Sequence, residues 1–156
     1  MQQIYYNLSI KKPAILFSTW FGIGLLPKAP GTWGSLVALP FAWIVSLIGD
    51  WSALLVVILI VFSVGWWASE RTASDIGLSD PGCIVIDEVA GQCLVLLGTQ
   101  LDLKHYLIGF ILFRIFDIAK PWPADWADRF IKGGLGIMLD DIIAGLYGLI
   151  FMKILT

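Results

Sequence analysis

Trp51-Ser-Ala-Leu-Leu-Val-Val-Ile-Leu-Ile-Val-Phe-Ser-Val-Gly-Trp-Trp-Ala-Ser69 runs for 19 residues without a charged side chain. At about 1.5 Å of rise per residue, a helix of that length reaches roughly 29 Å, the thickness of a bilayer's hydrocarbon core. The stretch before it, Ala29 to Gly49, is uncharged for 21 residues, again close to what a spanning helix needs. Neither alternates polar with apolar positions, so both read as helices. The whole chain agrees: 58% of its 156 residues are hydrophobic, 14% are charged, and the mean hydropathy is +0.85. A soluble globule carries nearer ~25% charge. We therefore expect an all-α, polytopic membrane helical bundle forming one domain over residues 1–156.

Working outward, apolar segments fall at residues 13–26, 34–48, 51–68, 84–101, 106–118 and 137–155. Lys and Arg then set the orientation, because cytoplasmic loops are enriched in them. With Lys28 inside and the later segments alternating, Lys11, Lys12, Arg71, Lys120, Arg129 and Lys132 also fall inside. Only Lys104 and Lys153 fall outside. This arrangement predicts about five spanning helices, with residues 13–26 as an N-terminal interfacial or re-entrant helix whose two ends are both cytoplasmic. Met1 to Ile10 is polar and aromatic and does not read as a signal peptide.

Carboxylates inside such a chain are costly and are usually retained for function. Asp87 and Glu88 head one apolar segment, and Asp140 and Asp141 head another. Arg114 and Asp117 end a third, one helical turn apart, with Lys120 just beyond. In the predicted topology all of them, and the Pro30-Gly31-Thr32 turn, lie at the cytoplasmic interface. Five acids converging from distant segments suit a divalent metal site. Arg114 and Lys120 beside them suit a phosphate.

Each feature also has a plainer reading. Asp87 and Glu88 can serve the helix macrodipole, and Arg114 with Asp117 can be a structural ion pair. Gly133, Gly134 and Gly136 can present amides to a phosphate or merely enter a helix. Residues 30–35, with the hydroxyls of Thr32 and Ser35, can bind an anion or cap a helix. Gly91, Gly145 and Gly148 allow close helix approach. Cys83 and Cys93 lack metal-site spacing and read as reduced, structural residues. No arginine follows either one at the spacing of a cysteine phosphatase, since Val89 and Thr99 stand there. The lone His105 falls outside and reads as an interfacial residue. A net charge of −2 without a dense basic cluster argues against a nucleic-acid partner.

Four strings in order carry a resemblance. They are Gly22-Ile-Gly-Leu-Leu-Pro-Lys-Ala-Pro-Gly-Thr-Trp-Gly-Ser35, Asp87-Glu-Val-Ala-Gly91, Phe113-Arg-Ile-Phe-Asp-Ile-Ala-Lys-Pro-Trp-Pro123 and Gly133-Gly-Leu-Gly-Ile-Met-Leu-Asp-Asp-Ile-Ile-Ala-Gly145. Together they resemble the phosphatidylglycerophosphatase A family of bacterial membrane lipid phosphatases. Lys28 and Ala124 depart from its tendencies without touching the acids.

The resemblance implies an all-helical, Mg2+-dependent phosphoric monoester hydrolase of the bacterial cytoplasmic (inner) membrane. It would convert phosphatidylglycerophosphate to phosphatidylglycerol and inorganic phosphate. The residues carried over are Asp87, Glu88, Asp117, Asp140 and Asp141, with Arg114, Lys120 and the Pro30–Ser35 turn; from their chemistry we read the five acids as metal ligands and catalytic residues, with Lys120 beside them in catalysis. Pro30, Gly31, Thr32, Gly34, Ser35, Arg114, Lys120 and Gly134 would meet the substrate. On this view the metal activates a water for in-line attack; an aspartyl-phosphate route stays open. The alternative is a membrane cation transporter or scaffold using buried acids, which predicts acids spread through bilayer depth. A headgroup transferase of the CDP-alcohol type fits poorly, because its spaced aspartate signature is absent.

Overall fold

The structure, a computed structural model, describes residues 10–155. The signal-peptide reading of the first residues therefore lies almost wholly outside the described part. Among the described residues there are seven α-helices and no strand. In chain order they are α1 (Pro13–Ser18), α2 (Pro30–Ile48), α3 (Trp51–Ile76), α4 (Ile86–Val95), α5 (Leu103–Ala119), α6 (Ala124–Phe130) and α7 (Gly133–Leu155), with a 3-10 turn at Ile23–Leu25. The all-helical membrane bundle expected from the sequence is what the chain forms.

The uncharged stretches become α2 and α3, and with α7 they are, among the described residues, the three helices long and apolar enough to cross a membrane. Asp50 starts α3 by accepting the Ser52 N–H at 2.8 Å, and Gly77, at φ 76°, ends it. That end comes two turns later than residues 51–68 predicted, so Glu70 and Arg71 are helical. Asp102 starts α5 by accepting the His105 N–H at 3.0 Å, while its other oxygen meets the His105 ring. At 17 residues, or about 26 Å, α5 is about a turn short of a full crossing.

Two expectations are corrected. Residues 84–101 do not form one spanning helix: α4 has 10 residues, about 15 Å. It lies in the middle of the bundle with Val89 to Leu96 all buried, packed against α2, α3, α5 and α7. Apolar side chains on every face are satisfied by protein here rather than by lipid. In the turn that follows, Leu96 is buried and Leu97 half-buried, and Lys153 of the last helix donates to the exposed Gly98 carbonyl at 2.7 Å. Residues 13–26 likewise split. After the six-residue α1 the chain turns sharply, with Trp20, Phe21 and Gly22 at positive φ. Ser18 and Thr72 share a buried hydroxyl hydrogen bond of 2.9 Å, and Lys12 meets Asp75 at 2.8 Å, docking α1 on the last turns of α3.

Glycines set the closest helix approaches. A Cβ on Gly145 would fall 2.6 Å from the Gly91 carbonyl oxygen, so α4 and α7 touch along their backbones. Gly148 continues the seam against Val95, and Gly65 of α3 receives the Met138 side chain of α7. This seam fixes α7 beside the start of α4, which is where the acids lie.

Candidate active site

Asp87 and Glu88 occupy the first turn of α4. Asp140 and Asp141 do not begin their helix as the sequence suggested. α7 starts at Gly133, so the pair sits about two turns inside it, both residues buried. The macrodipole reading can therefore apply to Asp87 and Glu88 but not to Asp140 and Asp141. Arg114 and Asp117 lie in the last two turns of α5, and Lys120 follows as its left-handed cap at φ 42°.

The structure brings these acids together. One oxygen from each of Asp87, Glu88 and Asp141 lies within 4.8 Å of the others. Ligands opposite one another around Mg2+ are about 4.2 Å apart, so this trio has nearly the required span. Asp117 stands beside Asp141 and Glu88. Asp87 Oδ1, Glu88 Oε2, Asp140 Oδ1 and Asp141 Oδ2 are buried without a hydrogen-bond partner. Carboxylate oxygens left this way are strongly unfavourable unless a cation completes them. The donor set is all oxygen and all anionic, which fits a hard divalent ion.

Two cations border the acids, each with its own partner. Arg114 Nη1 hydrogen-bonds Asp117, and reaches Ser35 Oγ at 3.4 Å. Lys120 does not pair with Asp117 as the sequence implied. Its Nζ meets Asp140 Oδ2 at 2.5 Å and Asp128 Oδ1 at 3.2 Å. Burial alone would lower the Lys120 pKa; the bond and charge of Asp140, then those of Asp128, outweigh it and raise it. Lys120 is therefore a fixed positive charge.

All five acids and Lys120 line one cavity of about 300 Å³. Asp80, Asp128 and Lys132 line it too, and the sequence reading missed them. Asp80 lies in a Ser-Asp-Pro-Gly turn and Asp128 in the short α6 beside an ordinary Asp125–Arg129 surface pair. Nothing in the sequence separated them from solvated loop charges.

The predicted substrate-binding glycines and hydroxyls are relocated. Residues 30–35 are not a turn ahead of a helix but the first turn of α2, and neither Thr32 nor Ser35 caps it. The Thr32 N–H donates to Ala29 O at 3.0 Å, and Ser35 Oγ donates to Gly31 O at 2.9 Å. Gly34 packs on Val85. A Cβ on Gly31 would lie 2.0 Å from Glu88 Oε1 and 3.5 Å from Arg114 Nη1. Pro30, Gly31, Thr32, Gly34 and Ser35 thus form a turn behind Glu88 and Arg114 rather than lining the cavity. Gly134 is likewise a packing position: its N–H donates to Glu70 Oε2 at 2.5 Å. His105 is held by Asp102 at the opposite end of α5 and stays out of the site.

Residues 16–156 match the family model of Phosphatidylglycerophosphatase A. The chain belongs to that family. A phosphatidylglycerophosphatase A of Escherichia coli K12 is 40% identical over 140 residues, covering 89% of this chain and 81% of that one. A phosphatidylglycerophosphatase A of Haemophilus influenzae is 38% identical over 146 residues, covering 92% and 89%. A Bacteroides thetaiotaomicron relative, 36% identical over 161 residues and covering 93% and 96%, carries the provisional name phosphatidylinositol-3-phosphatase. No solved structure matches. As a phosphatidylglycerophosphatase A family member the chain is an enzyme.

Proposed function

We propose that the chain is a Mg2+-dependent lipid phosphatase that hydrolyses phosphatidylglycerophosphate to phosphatidylglycerol and inorganic phosphate at the cytoplasmic face of the bacterial inner membrane. The observation that carries this reading is the trio Asp87, Glu88 and Asp141, whose oxygens meet within 4.8 Å. The names of the family and of two relatives supply the substrate. The predominance of Lys and Arg at the site's end of the bundle supports the cytoplasmic orientation.

Asp87, Glu88 and Asp141, with Asp117 and Asp140 beside them, would hold the ion. When bound, Mg2+ supplies charge neutralisation at the phosphate and lowers the pKa of water. The chain's own residues supply the rest. Lys120, fixed by Asp140 and Asp128, faces the cavity as a permanent cation for the phosphate oxygens. Arg114 positions Asp117 while remaining at the edge of the acid group. Water supplies the new oxygen on phosphorus, the bond from phosphorus to the glycerol oxygen breaks, and that oxygen leaves with a proton. A cation path through the membrane would need acids along the depth of the bundle, whereas these five line one cavity.

The test is phosphate release by purified protein from phosphatidylglycerophosphate and from phosphatidylinositol 3-phosphate, each with Mg2+ and with EDTA. Release from the first that EDTA stops supports the proposal. No release from it in Mg2+ overturns the proposal, and release from the inositol lipid alone reassigns the substrate. Oxygen-18 from water found in an Asp side chain after one turnover would replace direct attack by an aspartyl-phosphate route.

A further inference from the structure

A shallow trough with about 440 Å³ of free volume runs along one face of α5, lined by Phe110, Ile111, Arg114, Ile115, Ile118 and Ala119. Ile111, Ile115 and Ile118 are each more than half exposed there, as expected for a face turned to lipid. Arg114 is the one cation in the lining, and the same guanidinium bonds Asp117 beside the acid group. One ion pair thus links the trough to the candidate active site, Arg114 lining the first and Asp117 the second.

Its dimensions select an occupant. From Phe110 to Ala119 are nine helical steps, about 14 Å, close to the ~15 Å depth of one leaflet's hydrocarbon. The bond to Asp117 draws the Arg114 guanidinium toward the site end, where the lipid's glycerol would lie. A phospholipid with a terminal phosphate monoester carries a second anionic group, its phosphodiester, between the headgroup and the acyl chains. Arg114, paired with the cavity-lining Asp117, is the cation the trough offers to that group when the monoester enters the acid-lined cavity.

We infer that the α5 trough seats an acyl chain of the phospholipid substrate, with Arg114 holding its phosphodiester, so that substrate enters sideways from the bilayer. The inference rests on the phosphatase reading above. Arg114 then acts as a ruler, setting the distance between the diester and the phosphate to be cleaved.

The test is steady-state kinetics with dioleoyl phosphatidylglycerophosphate in mixed micelles, on wild type, Ile111→Trp, Ile115→Trp and the lipid-facing control Ile60→Trp of α3. The trough variants are expected to raise KM roughly tenfold with kcat nearly unchanged, and the control to match wild type. Should a tryptophan variant not fold, the Ile111→Ala/Ile115→Ala double variant, which empties the trough, is expected to raise KM as well. Unchanged KM in the trough variants overturns the inference. So does an equal rise in Ile60→Trp, or a fall confined to kcat. A wild type that releases no phosphate fails the phosphatase reading instead, so the two failures are distinct.

Discussion

Gly91 of α4 and Gly145 of α7 meet backbone to backbone, one turn beyond the acids that each helix carries. A Cβ on Gly91 would stand 2.5 Å from the Asp141 carbonyl oxygen, so any side chain there moves Asp141 away from Asp87 and Glu88. Gly91→Ala and Gly145→Ala are expected to lower phosphate release by about 100-fold, the cost of roughly 1 Å of misplacement. Initial rates on detergent-purified protein check this, with Gly109→Ala, which meets only the flexible end of Leu96 and part of Val95, falling much less.

Glu88→Gln and Asp141→Asn keep the shape of the acid trio but each removes a negative charge. Both are expected to lose more than ~100-fold of activity at saturating Mg2+. Wild-type protein should melt at a higher temperature with Mg2+ than with EDTA, because an ion bound only by the folded chain stabilises it. A variant of either acid that keeps full activity would remove the basis of the proposed ion site.

Lys120→Met is expected to lose roughly 100-fold in kcat/KM through loss of a preorganised cation, with Lys120→Arg recovering part of it. The pH dependence follows from the raised Lys120 pKa. Its ion pairs contribute stability that is fully present below the ordinary lysine value of 10.5 and is lost only as pH climbs through the raised folded value. Any alkaline fall in activity below that value must come from another group, so the alkaline limbs of wild type and Lys120→Arg should coincide.

Gly134→Ala tests packing rather than chemistry. The added Cβ would lie 2.4 Å from Trp66 O and 2.5 Å from Glu70 N, both backbone atoms that cannot swing aside. Overpacking of this kind costs about 1–3 kcal/mol. Thermal unfolding in detergent should show a lower midpoint for this variant.

Much of this molecule could be read from its residues. The uncharged runs announced α2 and α3, and five of the acids that line the cavity were visible as charges in apolar surroundings, whereas Asp80 and Asp128 were not. What escaped was partner identity. Residues 84–101 are apolar whether the surrounding medium is lipid or protein, so a spanning helix was expected where a short enclosed one stands. Lys120 follows Asp117 by three positions, yet a left-handed cap turns it toward Asp140 and Asp128 instead. Gly134 and the residues 30–35 turn looked like anion binders because local sequence shows which amides are exposed in an isolated turn. It does not show that Glu70, sixty-four positions earlier, or Ala29 has already claimed them.

The enclosure of α4 has a mechanical consequence. Helices that face lipid must tilt when a bilayer thins or thickens, because hydrophobic mismatch is relieved that way. α4 is too short to feel both interfaces; its glycine seam couples it to α7 at backbone distance, and Gly34 of α2 packs on its N-cap residue Val85. Asp87 and Glu88 therefore move with the neighbours packed on α4, Gly31 of α2 behind Glu88 among them. A change in membrane thickness would reach the acid trio through those neighbours, α7 included, and not through α4 itself.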